Sequence, residues 1–481
     1  MVFSSLVFLF YFLPITLAAY YLAPARLRNA VALAASLFFY AWGAPQVALL
    51  LPFSCLADYK IGCRIVRPYA PPRARRGWLI LGVALNLGLL AWFKYANFAV
   101  AQINALLAAL GARPMAWASI ELPIGISFFT FQKITYLMDL NRGTARPARN
   151  FLDYLLYVSL FPQLIAGPIA RYHDVAAQLE RRDHTAERFL SGVMRFCVGL
   201  ARKVLIANPL GEVAEFAFGL DPATLSTSMA AYGAVCYAFQ IYFDFAGYSD
   251  MAIGLGRMLG LEYLENFRFP YLARSFTEFW RRWHISLSNF MRDYLYVPLG
   301  GNRVRPARTY LNLWIVFLLS GFWHGADWTF VVWGAFHGLF LSLDKLLQRT
   351  RWGRMPAGFA VPLNFALVTV GWVFFRSETL PHAFGYLRAL FGAGAAGASA
   401  ATLPAHLANA RTIAALAVAA LASVMPGLVG PRLRAVFTRA VAFDAGPTGI
   451  SLCFAVCVVL LILSAGALAV SGFNPFIYYR F

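Results

Sequence analysis

The chain has 481 residues, 60% of them hydrophobic and only 13% charged, with a mean hydropathy of +0.62. A soluble domain carries nearly twice that charged fraction, so a water-soluble enzyme or binding module is excluded. The formal charge is +20, but the basic residues cluster between apolar runs. Positive-inside placement accounts for them, and no nucleic-acid partner is implied.

Val2 to Leu22 reads as a first membrane helix rather than a cleaved signal, because no basic residue precedes Arg26. Arg26 and Arg28 place its far end in the cytoplasm. Asn29 to Trp42 and Val47 to Ala57 are apolar and separated by the turn signal Gly43-Ala44-Pro45. A basic loop follows, with Arg64, Arg67, Arg73, Arg75 and Arg76, also assigned to the cytoplasm. Trp78 to Leu110 reads as a span plus a second short helix. Glu121 to Asn141 mixes Glu121, Gln132, Lys133 and Asp139 into an apolar run, the pattern of a helix packed inside the protein or of a re-entrant one. From Arg171 to Arg188 the charges balance, as on a solvated surface helix.

Phe189 to Ile206 and Met229 to Leu259 are long apolar stretches. In the second, Gln240, Asp244 and Tyr248 recur at i, i+4 and i+8 and share one helix face, with Asp250 close by. Such a face is either interhelical hydrogen-bonding glue or the wall of a substrate tunnel. From Arg268 to Arg308 there are eight arginines, and Phe279, Trp280 and Trp283 interleave with Arg281 and Arg282. As a helix this segment reads as interfacial, with rings at headgroup depth and guanidiniums on phosphate. Thr309 to Phe322 would be a helix of about 21 Å, too short for a hydrocarbon core of about 30 Å. His324 therefore falls within the membrane's depth, at a Gly-flanked break between Ser320 and Asp327. Beyond it, Arg349, Arg351 and Arg354 mark a cytoplasmic loop, Val361 to Phe375 spans, and Gly392 to Ala401 is a small-residue loop. Thr412 to Val429 spans, Arg432, Arg434 and Arg439 return to the cytoplasm, and Ile450 to Val470 runs outward to a tail at 471–481. The whole reads as one all-α polytopic membrane domain, 1–481, with ten to twelve spans and a motif core at 240–344.

An ionisable side chain at membrane depth is a functional candidate by default. A neutral imidazole can take a proton from an alcohol and return it to a thiolate leaving group, as acyl transfer requires. Asp327 lies three residues beyond His324 and would orient its ring if one helix held both. His284 is the other histidine in an unusual place. His337, about 220° round an ideal helix from His324, reads as a packed histidine bonded to a neighbouring helix. On the residues alone, catalysis, proton relay and a satisfied core position all stay open for His324. The six cysteines and the histidines show no metal-ligand spacing, so no metal is expected.

Three stretches carry a family resemblance: QIYFDFAGYSDMAIG, FTEFWRRWHISLSNFMRDYLYVPLGGNR and SGFWHGADWTFVVWGAFHG. They resemble the membrane-bound O-acyltransferase (MBOAT) family, in its bacterial alginate O-acetyltransferase-like branch. The resemblance implies a ring of helices round a central funnel, His324 as the catalytic histidine and His284 as a second active-site residue. It further implies a bacterial inner-membrane enzyme passing acetyl from a cytoplasmic thioester, acetyl-CoA, to an exported polysaccharide through a periplasmic esterase-like (SGNH-type) partner. The terminal PFIYYRF is similar to the F-x-Y end of the D-alanylation pathway's small membrane subunit, which makes Tyr478 an acyl-relay candidate beside Tyr479. The alternative for this tail is an aromatic anchor at the outer interface. Two other classes stand against the enzyme: a transporter or flippase relaying protons through His324 and Asp250, and a scaffold that docks a periplasmic acyltransferase.

Overall fold

The computed structural model describes residues 1–347, 355–394, 403–405, 407–428 and 447–475. The basic turns at Arg349 to Arg354 and Arg432 to Arg439, the loop beyond Gly394, and Tyr478 and Tyr479 lie outside the described residues. Among the described residues every regular element is helical and there is no strand. Among the described residues four helices are long and apolar enough to cross a membrane: Pro72–Ala109, Trp328–Leu347, Ala357–Arg376 and Cys453–Val470. Phe8–Leu22 and Ala410–Met425 are apolar but shorter. The protein is an all-α polytopic membrane protein.

The backbone divides into two compact units, Met1–Phe189 with Leu255–Leu264, and Leu190–Gly254 with Glu265–Phe481. In the first unit, Pro72–Ala109 is one unbroken helix of 38 residues, not the expected span plus short helix. No proline interrupts it, and at 1.5 Å per residue it rises about 57 Å, well past the hydrocarbon core. Ile126–Arg142 packs inside the protein, as one of the two readings of that stretch had it. Its Lys133 forms a buried 3.1 Å ion pair with Asp58, which also accepts a 2.8 Å hydrogen bond from Asn86. Tyr172–Glu180 turns Tyr172, Val175 and Leu179 inward and its other residues outward, the surface helix expected there.

In the second unit a core of aromatic residues fills the space between Thr227–Met258, Trp328–Leu347 and Ala357–Arg376. The interfacial reading of the arginine-rich segment is corrected here. Phe279, Trp280 and Trp283 are buried in that core, and the segment is two short helices, Phe276–Arg282 and Ile285–Met291, hinged at His284. Phe276, Phe279, Trp280 and Trp283 fall at i, i+3, i+4 and i+7, one continuous apolar face, and burial of that face outweighs headgroup anchoring. Arg281 is left outside, and Arg282 pairs with Glu278 at 2.6 Å.

Candidate active site

Pro306–His324 and Trp328–Leu347 form a tight hairpin. A side chain at Gly321 would run into the Phe330 carbonyl oxygen and would lie 3.0 Å from the Gly334 Cα, so only paired glycines let the two backbones meet this closely. The first helix runs 19 residues, longer than the 14 expected, and its last residue is His324. The break comes at Gly325, whose backbone is extended. His324 is 6% exposed, and its ring lies against Trp323 at 4.9 Å, Trp333 at 5.1 Å and Phe375 at 5.2 Å. With the helix ending there, Asp327 does not share a helical face with the imidazole. Its carboxylate instead accepts a 2.9 Å hydrogen bond from the Thr329 N–H at the start of the next helix.

His337 is packed and bonded as read from the sequence: the Trp280 indole N–H donates to its Nδ1 at 3.1 Å. Trp333 touches both His337, at 4.6 Å, and His324, so the two rings share one aromatic wall. Trp372 stacks on Trp333 at 6.0 Å and meets Trp283 at 4.9 Å, which carries the wall to the residue before His284.

His284 sits between its two short helices with φ 43° and ψ 54°, a left-handed conformation that costs a non-glycine residue energy. Asn266 Oδ1 lies 3.2 Å from its Nδ1 and also accepts the Ser286 hydroxyl at 2.9 Å, while Asn266 Nδ2 donates to Ser249 Oγ at 3.0 Å. An amide oxygen there requires Nδ1 to carry the proton, so Nε2 presents its lone pair. Nε2 is buried with no hydrogen-bond partner among the described residues, ready to accept a proton or an O–H from a substrate. Asn266 and Ser249, which fix this tautomer, were not singled out in the sequence; nothing in GLEYLENFRF marks the one asparagine that orients a ring eighteen residues on.

Gln240, Asp244 and Tyr248 all lie buried on Thr227–Met258. Asp244 pairs with Lys203 at 2.7 Å, both side chains almost fully buried. Lys203 Nζ also donates to Asn208 Oδ1 at 2.8 Å and to the carbonyl oxygen of Pro475. Asn208 Nδ2 reaches the Phe473 carbonyl at 3.2 Å. Gly211 leaves room for Gln240 and for the Phe473 ring, since a Cβ there would lie 2.6 Å from Gln240 Nε2 and 3.2 Å from Phe473. Asp244 thus ties its helix to Lys203, and Lys203 with Asn208 seats residues 473–475. Asp250 is held by Arg195 at 2.9 Å and by Arg202, with Glu265 on the other side of Arg195 at 2.6 Å. Among the described residues no three His, Cys, Asp or Glu side chains gather as a metal site would require.

Buried imidazoles at helix ends, in an all-α chain with helices of membrane-crossing length, mark a polytopic membrane protein with a candidate internal chemical site. Residues 144–377, which contain His284, His324 and His337, match the model of the membrane-bound O-acyltransferase family, MBOAT. The chain is 46% identical to a probable alginate O-acetylase, AlgI, of Pseudomonas aeruginosa over 394 residues, 82% of this chain and 75% of that one. It is 38% identical to a peptidoglycan O-acetyltransferase of Helicobacter pylori, covering 82% of this chain and 80% of the other. A teichoic acid D-alanyltransferase of Bacillus subtilis is 25% identical over 54% of this chain and 70% of its own length. The chain belongs to the MBOAT family and is a membrane O-acyltransferase.

Proposed function

We propose that this protein is a bacterial inner-membrane O-acetyltransferase that takes acetyl from acetyl-CoA on the cytoplasmic side and passes it outward for O-acetylation of an exported cell-envelope polysaccharide. The observation that supports this reading is an aromatic wall running from the His324 ring through Trp333 and Trp372 to Trp283, the residue before His284, inside the family-matched segment. The relatives named for alginate and peptidoglycan acetylation support the acetyl group and the polysaccharide acceptor.

In this reading His324 is the general base. A hydroxyl attacks the thioester carbonyl carbon, the C–O bond forms as the C–S bond breaks, and the proton moves through the imidazole to the departing thiolate. His284 Nε2 accepts a second hydrogen bond at the reacting centre. The first acceptor is the Tyr478 phenol. Tyr478 follows three residues after Pro475, whose carbonyl Lys203 holds. The acetyl-tyrosine then delivers its acyl group to a periplasmic SGNH-type esterase-like partner. The ion pairs of Asp250 favour this chemistry over a proton-relay transporter, because both of its carboxylate oxygens are engaged by guanidiniums.

Membranes supplied with radiolabelled acetyl-CoA test the proposal, with label expected in the protein and then in polysaccharide. Absence of label from both would point to transport or scaffolding. Tyr478→Phe is expected to abolish both products and Tyr479→Phe to spare them; undiminished polysaccharide label in both variants would reject the tail as relay.

A further inference from the structure

In the first unit, two arginines and a histidine gather at one end of an open apolar groove. The groove, about 580 Å³, runs between the helix ending at Leu22 and the helix Arg28–Gly43. Tyr11, Ile15, Ala19, Val31, Phe38 and Trp42 are among its lining residues. Along the helix axis Val7 to Ala19 spans about 18 Å, close to the half-thickness of a hydrocarbon core of about 30 Å. Arg28 falls on the same face as Val31, Ala35, Phe38 and Trp42, at i, i+3, i+7, i+10 and i+14, and so stands at the groove's end.

Among the described residues no carboxylate pairs with Arg28 or Arg182, and Asp183, between Arg182 and His184 in sequence, is exposed. Arg28 Nη1 lies 3.5 Å from His184 Nδ1, His184 Nε2 lies 3.0 Å from the Tyr20 hydroxyl, and Arg182 Nη1 donates to that hydroxyl at 2.8 Å. The Tyr20 hydroxyl itself donates to the Leu259 carbonyl at 3.2 Å. Both guanidiniums lie over tyrosine rings, Arg28 over Tyr20 and Tyr21 and Arg182 over Tyr20. Arg28 Nε and Arg182 Nε and Nη2 are buried donors with no hydrogen-bond partner among the described residues. Glu262, three residues beyond Leu259, is already taken by Arg257 at 2.9 Å and Arg188 at 3.4 Å. Burial, then Arg28 and Arg182, push the His184 imidazole below its usual value.

We propose that this groove and the Arg28–Arg182–His184 cluster bind one anionic phospholipid of the cytoplasmic leaflet, its phosphate at the guanidiniums and an acyl chain along Ala19 to Tyr11. Two guanidiniums with spare N–H groups recognise phosphate oxygens, and the apolar channel takes a chain of one leaflet's length. Neither half suffices: the groove's lining carries no guanidinium, and the cluster has no apolar seat for a chain. The site is a binding site apart from the acyl-transfer residues and does not rest on the acetyl-transfer reading.

The test counts phosphatidylglycerol retained by the full-length protein in native mass spectrometry after detergent exchange. Diacylglycerol, which lacks the phosphate, and inorganic phosphate, which lacks the chains, are the comparison ligands. One tightly held phosphatidylglycerol is expected, with neither comparison ligand retained. Arg28→Gln with Arg182→Gln should weaken retention about tenfold, and Ala34→Phe, which fills the groove wall without touching the charges, should weaken it as well. Arg26→Gln, an exposed arginine at the same end, should leave it unchanged. Equal loss in Arg26→Gln would reduce the effect to bulk surface charge and overturn the site. Diacylglycerol held as tightly as phosphatidylglycerol, or undiminished retention in both the double variant and Ala34→Phe, would overturn it too.

Discussion

Replacing His324 by alanine lowers acetyl transfer by a factor of about 10² to 10⁴, the usual worth of a positioned general base. In the proposed reaction the thiolate departs and the attacking hydroxyl sheds its proton beside Trp323, Trp333 and Phe375, whose rings pack against the imidazole and leave little room for water to replace it. Alanine also leaves a hole in that wall, at a cost of about 1 to 3 kcal/mol, so loss of activity by itself would not separate chemistry from packing. His337 supplies the matched control, because it is equally buried, touches the same Trp333 ring and carries a hydrogen bond from Trp280. His337→Gln is expected to lose comparable stability while keeping at least about half of the transfer rate, since the position is read as packing. The measurement is label transfer from acetyl-CoA, normalised to folded protein by its melting transition. A folded His324→Ala protein that retains more than about a tenth of the wild-type rate would remove His324 from the chemistry.

How far the sequence disclosed this arrangement depended on whether the signal was local. The break after His324 was legible because glycines flank the histidine and the apolar run stops there. His337 was legible as a packed residue because its neighbours on Trp328–Leu347 are apolar all round. The inward face of Phe276, Phe279, Trp280 and Trp283 was present in the sequence as a helical period, but the adjacent arginines made the same residues resemble headgroup anchors. Only the partners of those rings, Trp372 and His337, settle which force prevails, and they lie 54 or more residues away. Asn266 and Lys203 were hidden for the same reason. Each acts through a neighbour brought in by tertiary packing, His284 in one case and both Asp244 and Pro475 in the other. The single long helix Pro72–Ala109 was misread as two because its length exceeds any membrane requirement, and hydropathy does not show where a helix continues into water.

Lys203 gives the largest expected change in stability, and it separates two roles that one side chain combines. Lys203→Met leaves the Asp244 carboxylate buried without its cation, and breaking such a pair from one side costs about 3 to 5 kcal/mol. The same change removes the donor to the Pro475 carbonyl and so loosens residues 473–475. Adding Asp244→Asn neutralises the stranded charge, and the double variant should regain most of the lost melting temperature, because a buried ion pair replaced on both sides is close to neutral. The dock for Pro475 is not regained. If the docked segment delivers Tyr478 to the acyl group, polysaccharide labelling stays low in the single and the double variant, and a carboxypeptidase trims the tail of both faster than that of the wild type. Stability and transfer then separate across the pair, which a purely structural ion pair does not produce. Recovery of labelling together with stability in the double variant would confine Lys203 to balancing Asp244, and a single variant that melts within about 1 kcal/mol of the wild type would contradict the buried pair itself.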